Sequence, residues 1–367
     1  MNILYLTNHL NIGGITSYVY TLSRGMQERG HSVFIASSGG ELCSLFQEAG
    51  ITLFIAPIKT KSELSPKLLA SMLKLYKPIK KNKIELIHAH SRTTQVLAHY
   101  LSSMCGIPYL STCHGFFKKR FSRRKFPCWG KHVIAISSAV KDHLVHDFCV
   151  SPKNITVVHN GIDAAGLSLR TESEIKAIKE KLGLRQGPVI GIIARLSDVK
   201  GHQFLIQAMK TVIAQFPTAS LLIVGEGKMK TELAMLVERL GLKENVVFLS
   251  QVLNTQETLS VMDVFVMPSL QEGLGLALME AMGCGLPVVG SAVGGIVSLI
   301  QHNVNGLLVK PADAQGLAEA ILALLTNPLK AQALGVQANA FIKEHFSREA
   351  MVYETERVYR LCLEQKR

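Results

Sequence analysis

The chain has 367 residues, of which 48% are apolar, and its formal net charge is +13. This length predicts two domains of about 150–200 residues each, and the apolar fraction excludes a largely disordered chain. No run of about 18 apolar residues occurs, and polar residues soon follow the apolar start at 3–6, so we expect neither a membrane-spanning helix nor a secretory signal peptide. The seven cysteines are scattered without a CxxC pair, which argues against a disulfide framework or structural zinc and favours a reducing cytoplasm.

The positive charge is concentrated in the first half of the chain. Residues 1–165 hold 20 basic and 8 acidic residues, whereas residues 166–367 hold 20 and 19. Such an asymmetry predicts an anionic partner for the first half, such as a phospholipid surface, a phosphorylated glycan or a nucleic acid. A surface that is basic only for solubility is the alternative.

The first half alternates apolar runs with helical patterns. The apolar runs lie at 3–6, 31–37, 51–56, 84–89, 108–112, 132–136 and 155–158, and the helical patterns at 15–28, 41–49, 66–79, 92–104 and 138–147. Strands that are apolar on both faces and alternate with helices are typical of a parallel sheet covered on both sides. The polar stretch 161–187 shows no strand pattern, and we interpret it as the connection between domains.

The same alternation returns in the second half. Apolar runs lie at 189–194, 220–225, 245–250, 264–269, 287–292 and 306–309, and helical patterns at 201–215, 228–240, after Gly275 and at 313–325. The sequence therefore predicts an α/β fold with two Rossmann-like, doubly wound domains at 1–165 and 188–347, joined by a linker at 166–187. Residues 348–367 predict one helix, which we expect to pack back on the first domain. Ligands of such tandem domains bind in a cleft at the carboxyl ends of both sheets.

One segment of the second domain carries two carboxylates around a glycine-rich turn. Residues 271–280 read QEGLGLALME, with Glu272 in a loop and Glu280 about one turn into the following helix. Gly273 and Gly275 let the backbone approach a ligand, and a helix N-terminus favours an anion such as a diphosphate. Because carboxylates repel phosphate, the two glutamates suit sugar hydroxyls, which donate hydrogen bonds.

A basic pair follows the first strand of the second domain. Residues 194–201 read ARLSDVKG. Fixed cations at the carboxyl end of a strand, here Arg195 and Lys200, suit a leaving diphosphate. Alone, such a pair is more often merely solvated, and it gains weight from the segment 271–280.

These segments, with the glycine pair at 13–14 and NGID at 160–163, resemble the retaining glycosyltransferases of family 4, which have the GT-B fold. The resemblance covers nearly the whole chain, and its most specific part is the E-x7-E spacing followed by EAMGCGLPVV and VGG. It implies that Glu280 binds the ribose of a nucleotide-sugar donor and that Glu272 contacts hydroxyls of the transferred sugar. It further implies that Arg195 and Lys200 hold the diphosphate and stabilise the charge that develops as it leaves.

The resemblance assigns further positions. The donor turn comprises Gly273, Leu274, Gly275 and Leu276, of which the last two offer backbone N–H groups to the phosphate. Gly13 and Gly14 would close over the diphosphate or admit the acceptor, although a simple tight turn is the alternative. Two departures from the family pattern, Ala194 for glycine and Leu274 for phenylalanine, remove no chemical group from the site.

Three histidines are candidates in the first domain. His114, in TCHG, would match the family's histidine on the far side of the donor sugar and is counted with the catalytic set; a core histidine is the alternative. His88 and His90 end a strand, and we favour strand-end packing or acceptor contact over catalysis for them.

The mechanism is inferred from the resemblance as well. No residue is marked as a general base for inverting transfer or as a carboxylate nucleophile for double displacement. The resemblance implies retention by same-face attack, in which the departing phosphate helps to take the acceptor's proton. No DxD motif lies in a loop between strands, so we expect neither a metal nor another cofactor.

The acceptor side is predicted from residues 116–131, which read FFKKRFSRRKFPCWGK, with a second basic stretch at 74–83. Cations interleaved with aromatic rings suit an anionic membrane interface or a phosphorylated acceptor. The residues we expect there are Lys118, Lys119, Arg120, Arg123, Arg124, Lys125 and Trp129. A mobile solvated loop is the alternative, and nucleic acid is disfavoured because no binding motif accompanies the segment.

The sequence thus predicts a retaining hexosyltransferase that is cytoplasmic and peripheral on the inner face of the membrane. It would move a sugar from a UDP- or GDP-linked donor to a lipid-linked or cell-envelope glycan acceptor, such as lipopolysaccharide. The alternatives are a soluble acceptor, a nucleotide-sugar 2-epimerase of the same fold, and a scaffold that has lost activity.

Overall fold

The computed structural model describes residues 1–60, 62–63, 65–163, 171–250 and 255–364. They form two compact units. The first unit is Met1–Gly161 together with the segment that begins at Arg348, and the second is Ile162–Ser347. Within the predicted linker, residues 164–170 lie outside the described residues, and Glu172–Lys181 forms a helix of the second unit.

The first unit is built on a seven-stranded sheet. Its strands are β1 (Asn2–Leu6), β2 (Ser32–Ser37), β3 (Thr52–Ile55), β4 (Leu86–Ala89), β5 (Tyr109–Cys113), β6 (Val133–Ala135) and β7 (Ile155–Val157). Its helices are α1 (Gly14–Glu28), α2 (Cys43–Glu48), α3 (Pro66–Lys81), α4 (Arg92–Cys105), α5 (Phe121–Lys125), α6 (Ser138–Phe148) and, from the end of the chain, α15 (Arg348–Glu364). All strand pairings are parallel, in the order β3-β2-β1-β4-β5-β6-β7.

Strand β1 shows why this sheet is apolar on both faces. Successive side chains of a strand point to opposite faces. Ile3 and Tyr5 pack in a core with residues of α1 and α15, whereas Leu4 and Leu6 pack in a second core with residues of α3 and α4. The C-terminal helix therefore completes one of the two cores of the first unit.

The second unit repeats the design with six strands. They are β8 (Val189–Ile193), β9 (Ser220–Val224), β10 (Val246–Leu249), β11 (Val264–Met267), β12 (Val288–Ser291) and β13 (Leu307–Val309). Its helices are α7 (Glu172–Lys181), α8 (His202–Gln215), α9 (Lys230–Arg239), α10 (Thr255–Leu259), α11 (Leu276–Gly283), α12 (Ile296–Leu299), α13 (Ala314–Leu325) and α14 (Pro328–His345). The pairings are again parallel, in the order β10-β9-β8-β11-β12-β13.

The two doubly wound sheets confirm the predicted fold class, and every predicted strand is present. Helix α14 was missed. Its buried positions are few, Leu334, Gly335, Ala338 and Ile342, and two of them have small or no side chains, so it shows no broad apolar stripe. The signal that would have found it is the helix start, where Asn327 caps the first turn and Pro328 occupies its first position.

The winding direction reverses between β1 and β4 in the first sheet and between β8 and β11 in the second. In doubly wound sheets, ligands bind at the carboxyl ends of the strands that flank such a reversal. Gly13, Gly14 and His90 follow the strands that flank the first reversal, and the loops of Arg195, Lys200 and Glu272 follow those that flank the second. His114 and the basic segment follow β5, the next strand of the first sheet.

Candidate functional site

Two loops meet where the second sheet reverses its winding. Residues 194–201 follow β8, and residues 268–275 follow β11. The N–H of Leu270 donates to the carbonyl oxygen of Val199 at 2.8 Å. Gly201 has a φ of 71°, and a Cβ there would lie 1.8 Å from the carbonyl oxygen of Pro268, so only glycine allows the loops to approach this closely.

An ion pair joins the two loops. Nζ of Lys200 lies 2.5 Å from a carboxylate oxygen of Glu272, which also accepts a hydrogen bond from Oγ of Ser269 at 3.2 Å. Glu272 is only 9% exposed. Lys200 is therefore held in place by Glu272, another predicted site residue. Arg195, by contrast, is exposed and forms no ion pair with any residue that the structure describes.

Helix α11 begins at the glycine-rich turn. Gly275 precedes it with a φ of 103°, so the first N–H groups of the helix have no side-chain cap. A backbone hydrogen bond stabilises the turn: the N–H of Gly295 donates to the carbonyl oxygen of Glu272 at 3.0 Å. The side chain of Leu274 is buried at 1% exposure and belongs to the core, so this position can offer a ligand only its backbone.

Glu280 lies in the second turn of α11. Its carboxylate accepts a hydrogen bond from Oγ1 of Thr255 at 3.0 Å. Burial raises the pKa of Glu280 to about 7, and the hydrogen bond from Thr255 opposes this shift only in part. At neutral pH the side chain is therefore close to half ionised, and donors that approach it would favour the charged form.

In the first unit, His114 lies directly after β5. Its Nε2 lies 3.3 Å from Nδ1 of His90, which follows β4, and the ring of Tyr18 packs edge-to-face against it at 4.7 Å. Burial lowers the pKa of His114 to about 3, so this side chain is neutral at physiological pH. It can exchange hydrogen bonds with a ligand, but it supplies no positive charge.

Gly13 and Gly14 lie at the start of α1, directly after the loop that follows β1. Gly13 has a φ of 155°, and no atom lies within 4 Å of a Cβ placed on either residue. The first turn of α1 contains no acidic side chain and no side-chain cap. The geometry therefore leaves the backbone of this turn open, as a close approach to a ligand requires.

The basic segment divides into exposed and buried residues. Five of the predicted cations are exposed: Lys118, Lys119, Arg120, Arg124 and Lys125. The prediction was wrong for Arg123 and Trp129, which are 7% and 8% exposed. The guanidinium group of Arg123 lies 3.9 Å from the ring centre of Phe117 and 5.6 Å from that of Trp129, so both residues hold the segment onto the unit instead of facing a partner.

Sequence reasoning missed two residues that support the candidates, Thr255 beside Glu280 and Ser269 beside Glu272. It named His90 as a strand-end candidate but did not predict that His90 is the hydrogen-bond partner of His114. Ser269 ends the apolar run before Glu272, so its nearness was readable. Thr255 and His90 come from other strands or helices, and only the fold brings them to their partners.

Two negative findings apply to the part of the chain that the structure describes. No helix there is both long and apolar enough to cross a bilayer. No three His, Cys, Asp or Glu side chains there lie close enough together to hold a metal ion.

Comparison with known proteins places both halves of the chain. A family model described as Glycosyltransferase Family 4 matches residues 12–165, and one described as Glycosyl transferases group 1 matches residues 174–341. N-acetyl-alpha-D-glucosaminyl L-malate synthase of Bacillus anthracis is 27% identical over 369 residues, 96% of this chain and 95% of that protein. UDP-Gal:alpha-D-GlcNAc-diphosphoundecaprenol alpha-1,3-galactosyltransferase of Escherichia coli is 27% identical over 305 residues, 78% of each chain.

The fold has solved counterparts as well. The crystal structure of the Anabaena protein HepE in complex with UDP-glucose matches with a TM-score of 0.87 at 23% identity, covering 98% of this chain and 99% of that one. At this identity the likeness shows the shared two-domain fold.

Proposed function

The chain belongs to the family 4 glycosyltransferases with the GT-B fold, and we propose that it transfers a sugar with retention from a UDP- or GDP-linked donor to a lipid-linked or cell-envelope glycan acceptor. The observation that carries this proposal is the set of groups gathered at the winding reversal of the second sheet. There the ion pair of Lys200 and Glu272, the exposed Arg195 and the open start of α11 lie together, with Glu280 one turn further on.

Each group in this set suits one part of a nucleotide sugar. The start of α11 offers backbone N–H groups, and Arg195 and Lys200 offer positive charge, to the diphosphate. Glu280 accepts hydrogen bonds from the ribose hydroxyls, and Glu272 from hydroxyls of the transferred sugar. Because Glu272 already holds Lys200, sugar recognition and charge placement are coupled through one carboxylate.

We propose that catalysis relies on positioning and on charge stabilisation at the leaving diphosphate. The negative charge that develops there is stabilised by Arg195 and Lys200, without a metal ion. The configuration at the anomeric carbon is retained if the acceptor attacks from the same face that the diphosphate leaves. The departing phosphate then takes the acceptor's proton on that face. Lipopolysaccharide or a similar envelope glycan is the proposed acceptor class.

The donor half of the proposal is tested by thermal-shift titration of the wild type and Glu280→Ala. UDP, GDP, UDP-glucose, UDP-galactose, UDP-N-acetylglucosamine and GDP-mannose are added with and without EDTA. A ligand at 100 times its Kd stabilises a protein by about 2.7 kcal/mol. We expect the UDP or the GDP compounds to stabilise the wild type in EDTA but not to stabilise Glu280→Ala. If none of the six compounds stabilises either protein, the proposed donor site is wrong.

The acceptor half rests on the surface of the first unit. Helix α3 exposes an apolar ridge, in which Leu69 is 58%, Leu73 63% and Tyr76 40% exposed. These residues are four and three positions apart, so they share one face of the helix. Exposed apolar side chains at this spacing mark an interaction surface that the core does not use.

The segment before α3 is joined to α5, which carries some of the exposed cations. Glu63, just before α3, accepts hydrogen bonds from Arg92 at 2.7 Å and from Ser122 of α5 at 3.5 Å. Phe121 of α5 is 76% exposed among the five exposed lysines and arginines. Exposed apolar side chains together with cations suit an anionic bilayer surface, and we propose that this face docks the enzyme on the cytoplasmic side of the membrane.

Vesicle flotation tests this docking face. One variant replaces Lys118, Lys119, Arg120, Arg124 and Lys125 by glutamine. The matched control replaces five exposed lysines of the second unit, Lys210, Lys228, Lys230, Lys243 and Lys310. At about 1 kcal/mol for each cation near an anionic surface, we expect the first variant to leave anionic vesicles and the control to float; equal behaviour of the two contradicts the docking face.

A soluble acceptor is the second candidate. The Bacillus anthracis relative covers 96% of this chain, and its name specifies L-malate, a small acid. If the wild type binds a nucleotide sugar but stays with the supernatant when anionic vesicles float, this candidate is favoured.

A further inference from the structure

Two neighbouring strands of the first sheet end in histidines that contact each other. β4 pairs with β5 in the register Ala89 to Ser111, and His90 and His114 follow these strands directly. Nδ1 of His90 lies 3.3 Å from Nε2 of His114. Since a hydrogen bond needs one donor, only one of these two nitrogens carries a proton.

The surroundings of His90 decide which nitrogen that is. His90 is 2% exposed, and its Nε2 has no hydrogen-bond partner among the described residues. The rings of Tyr5 and Tyr18 pack against it at 5.5 and 5.7 Å and exclude solvent. A proton on Nε2 would therefore be a buried N–H without an acceptor, which is rarer and more costly than an unused lone pair. The proton of His90 is placed on Nδ1, where it donates to His114.

The rings are uncharged. Burial lowers the pKa of His88 and His90 well below the ordinary range and that of His114 to about 3, and each ring would be repelled by a protonated neighbour. The contact therefore joins two neutral imidazoles. What remains to be assigned is which nitrogen of each ring carries the proton.

We propose that His90 is a positioning residue that fixes the tautomer of His114. With Nε2 of His114 accepting from His90, the proton of His114 resides on Nδ1, so this partly buried side chain offers an N–H donor at Nδ1 instead of a basic lone pair. Its natural ligand is an oxygen, such as a sugar hydroxyl. That identification rests on the proposed function, whereas the tautomer itself does not.

A second layer of contacts holds His90 in place. The backbone N–H of His90 donates to Oγ1 of Thr94 at 3.2 Å. The ring of His88 lies 4.1 Å from that of His90, and its two nitrogens lie 2.8 Å from the hydroxyl of Tyr359 and 2.7 Å from Oγ1 of Thr112. The orientation of His114 is thus supported from the sheet and from α15 together.

The direct test is nitrogen NMR of the protein labelled with ¹⁵N-histidine. Long-range correlations from the ring carbons distinguish a protonated from an unprotonated nitrogen in each imidazole. We expect His114 to show a protonated Nδ1 and an unprotonated Nε2 from pH 6 to pH 8. A protonated Nε2 on His114 in the wild type overturns the proposal without any variant.

Two amide replacements separate the two nitrogens of His90. In His90→Asn the side-chain N–H₂ can take the place of Nδ1, whereas in His90→Gln it reaches the place of Nε2. We expect the Asn variant to keep the His114 tautomer and the Gln variant to lose it. The control is His132→Gln, which alters a buried histidine bonded to Thr156 at 2.8 Å before β6 and should leave the His114 signals unchanged.

Turnover adds a functional readout once a donor has been found by thermal shift. One neutral hydrogen bond corresponds to about a tenfold effect, so we expect kcat of His90→Gln to fall about tenfold below that of His90→Asn, with KM for the donor unchanged. Equal kcat values for the two variants contradict the positioning role. If no nucleotide binds, the proposed function fails, and the NMR result still decides the tautomer.

Discussion

The two sheets equip their carboxyl ends in opposite ways. At the end of the second sheet, charge and open backbone dominate: Lys200 pairs with Glu272, Arg195 is exposed, and α11 begins without a side-chain cap. At the end of the first sheet, His90 and His114 form a neutral contact that is covered by tyrosines.

The difference matches the chemistry that each end would serve. A departing diphosphate develops negative charge, which fixed cations and helix N–H groups stabilise best. Orienting neutral hydroxyl groups needs placed donors and acceptors, and extra charge there would only raise the cost of burial. The following predictions test whether the division holds, beginning with the largest expected effect.

Removal of Lys200 should have the largest effect. Lys200→Ala leaves the 9% exposed Glu272 without its cation. Breaking a buried pair costs about 3–5 kcal/mol of unfolding free energy, and losing a donor to the leaving group lowers kcat by about 10²–10³-fold. Denaturant unfolding and initial rates measure the two effects.

The double variant Lys200→Met, Glu272→Gln separates the effect on stability from the effect on activity, because it removes both charges. We expect it to recover most of the stability and none of the activity. The control is Lys228→Ala, whose pair with Asp198 at 3.4 Å joins two exposed side chains and should contribute little to stability. A Lys200→Ala variant no less stable than this control would contradict the coupling of the two loops.

Glu280 should make donor affinity depend on pH. Burial raises the pKa of Glu280 to about 7, and hydroxyl donors favour the ionised form. Affinity for the donor should therefore rise about tenfold from pH 6 to pH 8 as the proton is released. Glu280→Gln should bind the donor more weakly and lack this rise. Subtracting its pH profile of donor affinity from that of the wild type removes the contribution of the nucleotide's own titration.

The same shift affects stability without ligand. Exposed in the unfolded chain, this carboxyl ionises near 4.5, but in the fold it stays protonated up to about pH 7. The unfolded state therefore loses its proton first, and stability falls as pH rises through this window, by about 1–3 kcal/mol. Glu280→Gln should be the more stable protein at pH 8 and gain little at pH 4.5; an equal gain at both pH values would contradict the shift.

Tyr359 tests the neutral end. Tyr359→Phe removes the hydroxyl that lies 2.8 Å from His88 and donates to Tyr5 at 3.1 Å. We expect a loss of about 1–2 kcal/mol of unfolding free energy. Tyr353→Phe is the matched control in the same helix, because Tyr353 is 51% exposed and its hydroxyl should contribute nothing measurable.

The glycine turn of α1 should give the smallest effect on stability. A Cβ at Gly14 meets no atom within 4 Å and φ is not positive there, so Gly14→Ala should keep the melting temperature. Gly13→Ala should lower it modestly, because φ at that residue is 155°. If Gly14→Ala lowers turnover several-fold at unchanged stability, the turn approaches a ligand. If turnover is unchanged, the glycines serve only the geometry of the turn.

The residues of the charged end are easier to recognise in the sequence than the contacts of the neutral end. Arg195 and Lys200 lie in one short segment, and Glu272 and Glu280 in another, so their spacing is visible along the chain. The contact that pairs Lys200 with Glu272 was not predicted, because it depends on β8 and β11 being neighbours.

The neutral end draws on β4, β5 and α15, which are far apart in the chain. Nothing local to His90 distinguishes it from any strand-end histidine. The prediction for Arg123 and Trp129 was wrong because a run of cations and aromatic residues predicts an exposed surface. In the fold, the aromatic rings instead form a buried site for one of the cations, Arg123.

Helix α15 has a consequence for how the protein is made. The whole second unit, 186 residues from 162 to 347, is synthesised between the end of the first stretch of unit one and the helix that completes its core. At about 5–20 residues per second, the ribosome needs about 10–40 s for that stretch. During this time the apolar positions of α1 and β1 that α15 will cover remain unshielded, although the second unit can already fold. The order of completion is therefore the reverse of the order of synthesis, and the nascent first unit is the part that depends on protection from aggregation.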